Sequence, residues 1–204
     1  MLSNDPTRTK LPEGRLTFPS LFKVNDRGFN KANPKFEATI VFDDPKVDLS
    51  DFNETILHVC NDHFKKSFKT IAEMVKAGYK YPLKKGTGLN KDGEEKAYLA
   101  IQKGKWVIKT TAKFKPVVIG VNKQALDENE IYSGCYVSIA GKCFPYDTAG
   151  NRGVTFFMQN VLKTKDGERL ATGIGNYEDD FADDFSLTDE DGTSNEVSAE
   201  DIPF

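Results

Sequence analysis

The sequence predicts a mainly β domain, a small antiparallel barrel of five strands with one long inserted helix, followed by a disordered acidic tail. Several short segments alternate apolar and polar residues with period two, as half-buried strands do. One central segment changes to steps of three and four residues, the period of a helix. Regular patterning is lost beyond Asn176, where acidic residues accumulate. We therefore divide the chain into an N-terminal arm (1–13), a folded domain (14–177) and a tail (178–204).

The first two predicted strands form a hairpin with a long loop. Residues 14–25 place Leu16, Phe18, Phe22 and Val24 at alternate positions, and residues 36–42 repeat the pattern. Between them, residues 26–34 are rich in Asp, Gly, Asn and Pro, which favour turns.

Residues 51–77 predict one long amphipathic helix. Ser50 or Asp51 can cap its start, and Gly78 is a natural stop. Residues 79–96 follow as a long loop that is basic at first and rich in glycine, and long loops are often functional.

Strands resume after Tyr98. Residues 103–115 predict a strand with one lysine-rich face and one apolar face that runs from Trp106 to Phe114. A short Val/Ile run at 117–121 and two β-rich segments, 135–144 and 154–162, complete the set. Several short strands with one inserted helix favour the five-stranded OB-fold, because barrel closure removes sheet edges and leaves a face for nucleic acid.

Charge is divided unevenly along the 204 residues. The segment from Glu178 to Phe204 holds 11 acidic residues and no Lys or Arg. Residues 1–177 therefore hold all 28 basic residues against 20 of the 31 acidic ones, although the whole chain has a net charge of -3. A basic domain with an acidic tail indicates nucleic acid as a partner.

Composition also indicates the compartment. Three cysteines, odd in number and far apart, argue against a disulfide framework and favour a reducing environment. We see neither a secretory signal nor an apolar stretch of membrane-helix length, so we expect a cytoplasmic protein without membrane contact.

No catalytic or metal-binding pattern is recognisable. Lys85-Gly86-Thr87-Gly88 lacks the leading glycine of a phosphate-binding loop, and no Cys or His pair has zinc spacing. His58 and His63 lie five residues apart and would share a helical face poorly. We expect no enzyme, no cofactor and no metal, and we assign all three cysteines to the core.

Binding single-stranded DNA without strong sequence preference requires cations that follow the phosphates and aromatic faces that stack on bases. A lysine-rich strand face can also be merely solvated, and Phe36, Phe114 and Phe156 alternate with polar residues as core residues do. Trp106 fits either role, whereas Tyr79, Tyr81 and Tyr146 stand in loop-like surroundings. The candidate DNA-binding residues are Tyr79, Lys80, Tyr81, Lys84, Lys85, Lys103, Lys105, Trp106, Lys109, Lys113, Tyr146 and Arg152.

The chain ends in Asp201-Ile202-Pro203-Phe204. A solubilising tail is the simple interpretation of the acidic run, but such a tail does not require this ending. Apolar residues beside a free carboxylate suit a greasy pocket ringed by Arg or Lys. We therefore predict that these four residues bind partner proteins.

This ending resembles the acidic tip of bacterial single-stranded-DNA-binding proteins, and the domain resembles their phage-encoded OB-fold relatives. The likeness lies in the element order, in Arg27-Gly28-Phe29-Asn30 before Asn33-Pro34, and in Phe144-Pro145-Tyr146 before a glycine-containing turn.

The resemblance implies that Tyr146 stacks on DNA. It also implies a role in replication, recombination and repair, with enzymes of these processes recruited by the tip, and a monomer or homodimer in the host-cell cytoplasm. The alternative is a protein-interaction adaptor without DNA binding, whose basic face docks acidic partners.

Overall fold

The structure is a computed structural model that describes residues 5–26, 32–90 and 92–170, with the backbone alone at 97 and 98. The expectations for Arg27 to Asn30, for the tail and for its tip Asp201-Ile202-Pro203-Phe204 fall outside these residues.

Five strands form a closed ring, which confirms the mainly β, OB-like fold. In chain order they are β2 (Gly14–Asn25), β3 (Lys35–Phe42), β5 (Trp106–Ala112), β7 (Tyr136–Thr148) and β8 (Asn151–Lys165). Antiparallel pairs join β2 to β3, β3 to β5, β8 to β7 and β7 to β2. The remaining contact, between β5 and β8 at Thr111 and Phe157, is parallel.

Besides the two helices described below, the part of the chain that the structure describes has three short strands and one short helix outside this ring. β1 (Arg8–Lys10), within the predicted arm, pairs with β7. β4 (Leu83–Lys85), within the predicted loop 79–96, pairs with β5, and β6 (Val117–Ile119) runs parallel to β8. The short helix α3 (Ala97–Ala100) precedes β5.

The single helix expected at 51–77 is wrong: the segment forms α1 (Ser50–Phe64) and α2 (Ile71–Lys76). Lys65 ends α1 in the left-handed region at φ 52°. The Asn61 amide then donates to the Phe68 carbonyl and accepts from its N–H, both at 2.9 Å, and so holds the connecting turn. Thr70 restarts the helix by accepting a hydrogen bond from the Glu73 N–H at 3.2 Å.

The start of α1 also differs from expectation. Neither Ser50 nor Asp51 caps it with a side chain. The Asp48 carboxylate instead accepts from the Ser50 N–H at 2.9 Å and from its hydroxyl at 2.6 Å. Gly78 follows α2 as expected, with φ 88°.

The core lies between the ring and α1. The Phe52 ring meets Phe156 edge-on at 5.5 Å, and Ile56 and Cys60 are fully buried beside them. Cys60, Cys135 and Cys143 are free and buried, which confirms their assignment to the core. Burial raises the pKa of Cys143 to about 12.

The β7–β8 hairpin is longer than the two predicted segments. Its strands continue through most of the expected loop 145–153 to a two-residue turn, Ala149-Gly150. Both turn residues have positive φ, 51° and 79°, as the tightest hairpin turns require. Tyr146 and Arg152 therefore lie on strands.

Within the described ranges, no helix combines the length and apolarity needed to cross a membrane.

Candidate nucleic-acid interface

A groove of about 640 Å³ opens on the outer surface of the ring, where β5 ends beside β8 and β7. It combines aromatic rings with lysines on one surface, as a site for an unpaired strand requires. The groove is lined by Asn33, Lys35, Thr111, Ala112, Lys113, Phe114, Lys115, Phe144, Phe157, Met158 and Gln159.

Three phenylalanines give the groove its aromatic surface. Phe144 and Phe157 point outward because their chain neighbours Cys143 and Phe156 point into the core. Their ring centroids are 5.5 Å apart, and Phe144 is 44% exposed. Phe114 is 79% exposed. Large apolar side chains grouped on a surface usually mark a binding site.

Lys35, Lys113 and Lys115 supply the positive charge. None of them forms an ion pair with a described carboxylate, so their charges are available to a ligand. The Lys113 ammonium lies 6.0 Å from the Phe114 ring centroid. The Lys115 ammonium lies 5.6 Å from that of Phe22, which extends the aromatic surface onto β2.

Three other predicted lysines are already paired. Lys103 lies 2.9 Å from Glu95, Lys105 lies 2.6 Å from Asp43, and Lys109 lies 2.9 Å from the nearly buried Glu37. The hydrogen bond from Lys103 lowers the pKa of Glu95, and that pairing raises the pKa of Lys103. Lys109 joins the middle of β5 to the middle of β3, whereas Lys103 and Lys105 make their pairs from the segment before β5. Less of the charge of these three lysines is available to DNA.

Lys84, Lys85 and Trp106 lie where β4 pairs with the first residues of β5. Lys84 is exposed. Trp106 is half-buried against the core, and the Lys85 ammonium sits 4.3 Å from its ring centroid. The neighbouring lysine thus covers part of the indole.

The expectation that Tyr79 occupies open, loop-like surroundings is wrong, because it is only 3% exposed. Phe64 and Phe68 meet its ring at 4.8 and 5.4 Å, and the Arg152 guanidinium lies 4.5 Å from its centroid. A ring enclosed in this way is part of the core and has no face free for a base.

Tyr81 also has a structural role. It is half-buried, and its hydroxyl donates a 2.6 Å hydrogen bond to the side-chain amide oxygen Oδ1 of Asn53, while burial raises its pKa. Lys80 is exposed, and its backbone bonds to β8 at Arg152 and Val154.

Tyr146 lies on the groove's side of β7. It follows Phe144 by two residues, so both side chains share one face of the strand. It is half-buried opposite Gly153. Of the predicted residues, Lys113 thus lines the groove, and Tyr146 continues its aromatic surface towards the hairpin turn.

Lys35, Phe144 and Phe157 line the groove but were not among the predicted DNA-binding residues, and Phe114, expected in the core, is 79% exposed. β5 ends at Ala112, so the alternation that put Trp106 and Ile108 inward no longer applies two residues later. Lys113-Phe114-Lys115 before Pro116 carried a usable signal, because a proline ends regular pairing. Phe156 is buried as expected, and Phe36 packs half-buried against the core.

The ring topology and the groove on its outer face define an OB-like protein of the class that includes single-strand binders. Residues 7–193 match the family described as "Enterobacter phage Enc34, ssDNA-binding protein", and the chain belongs to this family. Membership of a DNA-binding family agrees with the expectation that the chain is not an enzyme.

Solved structures share this fold. The single-stranded DNA-binding protein from bacteriophage Enc34 in complex with ssDNA is 22% identical, with a TM-score of 0.60 over 81% of this chain and 90% of that one. A second structure of the same phage protein has a TM-score of 0.58 at 22% identity, over 86% of this chain and 90% of that one. Gp2.5, a single-stranded DNA-binding protein encoded by bacteriophage T7, has a TM-score of 0.53 at 13% identity, over 86% of this chain and 99% of that one. None of the curated proteins compared with the chain matches it.

Proposed function

We propose that this protein binds single-stranded DNA without strong sequence preference, with the groove between β5, β8 and β7 as the centre of its interface. The observation that carries the proposal is the combination on one surface of exposed Phe114 and Phe144 with Lys113 and Lys115, which pair with no described carboxylate. Family membership supports it, as does the likeness of the fold to the Enc34 protein in complex with ssDNA.

The groove suits an unpaired strand on physical grounds. Each base that stacks on an aromatic ring contributes about 1–3 kcal/mol, and every base has such a face, so this energy depends little on sequence. Bases in a duplex are already stacked and paired, so they cannot offer these faces without a cost. Lysines at the groove rim then neutralise the phosphates.

The wider role we propose is that of a phage protein in the host cytoplasm, present as a monomer or homodimer. The domain, residues 14–177, protects exposed strands during replication, recombination and repair. The tail, residues 178–204, recruits enzymes of these processes through Asp201, Ile202, Pro203 and Phe204. The charge division between domain and tail and the apolar ending support these assignments.

Titration with a labelled oligo(dT), followed by fluorescence anisotropy, tests DNA binding. A blocked duplex of equal length serves as the matched control. We expect clear preference for the single strand and an affinity that falls linearly on a log–log plot against salt. Equal affinity for the two forms, or an affinity insensitive to salt, would contradict the proposal.

A further inference from the structure

The strand β1, which lies outside the ring of five strands, extends the surface that carries the groove. Arg8 pairs with Lys142 of β7, and Lys142 pairs with Phe157 of β8. Residues directly opposite one another in antiparallel strands place their side chains on the same face. Arg8 therefore shares a face with the groove residue Phe157, two strand spacings or roughly 10 Å away.

The alternation along β1 agrees with this orientation. Thr9 is 4% exposed and faces inward, so Arg8 and Lys10 on either side face outward. The groove residue Phe144 lies on the same face, two residues beyond Lys142.

Asp5 fixes β1 in place and neutralises the lysine beside it. One carboxylate oxygen accepts hydrogen bonds from the Thr7 N–H at 2.9 Å and its hydroxyl at 2.7 Å. The other lies 2.6 Å from the Lys142 ammonium, and the Asp5 carbonyl accepts from the Arg8 N–H at 3.1 Å. Of the cross-strand neighbours Arg8 and Lys142, Lys142 is thus already paired.

Arg8 is the cation that remains. No ion pair joins it to a carboxylate in residues 5–26, 32–90 or 92–170, and its Nε is buried with no acceptor from those residues. An arginine that has no carboxylate partner there and shares a face with the groove's aromatic residues is suited to a phosphate, which its guanidinium can bind through two parallel hydrogen bonds.

We propose that β1 is part of the DNA path, and that the Arg8 guanidinium binds a backbone phosphate of the strand whose bases occupy the groove. The strand then runs from Lys113 and Lys115 past Phe114, Phe157 and Phe144 and across β7 to Arg8. This inference rests on the proposed function and adds a contact outside the five-strand ring.

The test uses the full chain with Arg8→Gln and Arg8→Lys, together with Lys46→Gln as a matched control. Lys46 is exposed after β3, whose end at Phe42 lies about 23 Å along the strand from Lys35 in the groove. Anisotropy titrations use oligo(dT) of increasing length over a range of salt concentrations, and thermal melts check the fold of each variant.

We expect Arg8→Gln to weaken binding of long oligonucleotides about tenfold, as loss of a charge-assisted hydrogen bond does. The slope of log affinity against log salt should decrease by about 0.7, the value for one phosphate of a single strand. Arg8→Lys should keep the slope, and Lys46→Gln should match the wild type. The shortest oligonucleotides that fill the groove should bind Arg8→Gln and wild type equally, because they do not reach β1.

Two results would overturn the inference while leaving DNA binding itself intact. One is an Arg8→Gln variant that matches the wild type at every length. The other is an equal loss at every length with a lower melting temperature, which shows that Arg8 supports the fold only. Absence of binding by the wild type would instead refute the proposed function.

Discussion

At the scale of single residues, Phe114 gives the sharpest test of the groove. It is the most exposed of the groove's aromatic rings, so its removal should cost stacking energy and little folding energy. Phe114→Ala should weaken binding to oligo(dT) by about fivefold to more than a hundredfold, the equivalent of one stacked base. Val121→Ala, which removes an apolar side chain that is 63% exposed in a turn beyond β6, is the control. Similar affinities for the two variants would exclude Phe114 from the interface.

Lysines of the same predicted strand face should contribute unequally to DNA binding, according to whether each already has a carboxylate partner. Lys113 has no carboxylate partner among the described residues, whereas Lys103 lies 2.9 Å from Glu95. Lys113→Gln should therefore lower the salt slope of binding by about 0.7, and Lys103→Gln should lower it less. Salt titrations of both variants measure this difference. Equal slopes would show that ion pairing within the free protein does not decide which lysines meet DNA.

Phe114 and Lys113 also show how far the sequence predicts the candidate site. Period-two alternation correctly placed Phe156 inside and Lys109 outside. It failed at Phe114 because the strand ends at Ala112. It could not separate Lys113 from Lys103, because Glu95 reaches Lys103 through the fold of a loop and not through a spacing in the chain.

At the scale of elements, Thr70 caps the start of α2 after the break that follows α1. The Thr70 hydroxyl accepts from the Glu73 N–H, and the Glu73 carboxylate accepts from the Lys69 N–H at 2.7 Å. Thr70→Ala should lower the free energy of unfolding by about 1 kcal/mol. Thr55→Ala is the matched control, because its hydroxyl donates within α1 to the Asp51 carbonyl and such bonds do not stabilise a helix.

Urea denaturation measures both variants, and oligo(dT) affinity should stay unchanged in each. A Thr70→Ala variant as stable as Thr55→Ala would show that packing of Phe68 and Ile71, and not the cap, starts α2.

The sequence contains part of the signal for the break between the helices. Apolar residues keep a helical period across 64–71, which favoured one continuous helix. Thr70-Ile71-Ala72-Glu73, however, has the Thr and Glu spacing of a capping box, which marks a new start. The hydrogen bonds between the Asn61 side chain and the Phe68 backbone span seven residues and form only once the turn has folded, so no local sequence pattern predicts them.

At the scale of the whole molecule, the ring of strands brings segments that are distant in the chain to one groove. The groove takes Lys35 from β3, Phe144 from β7 and Phe157 from β8, and Lys113 and Phe114 follow β5. Segment order alone predicted the OB-like closure, because few arrangements remove the edges of five short strands. The surface that results depends on the parallel contact of β5 with β8, which brings Phe157 beside Thr111.

The charge division between domain and tail yields the last prediction. Deleting residues 178–204 removes 11 acidic residues and leaves 28 basic against 20 acidic ones. If the tail competes with DNA for the lysines, its deletion should raise the affinity for oligo(dT) at low salt and make that affinity more sensitive to salt.

Deleting Phe204 alone removes no acidic side chain, so DNA affinity should stay at the wild-type value. The same deletion should abolish binding to a purified host replication or recombination enzyme, measured by calorimetry, because the apolar end of the tip is lost. A Phe204 deletion that binds the enzyme normally would refute the recruiting role of the tip. An unchanged DNA affinity after removal of 178–204 would refute the competition, and each result stands independently of the other.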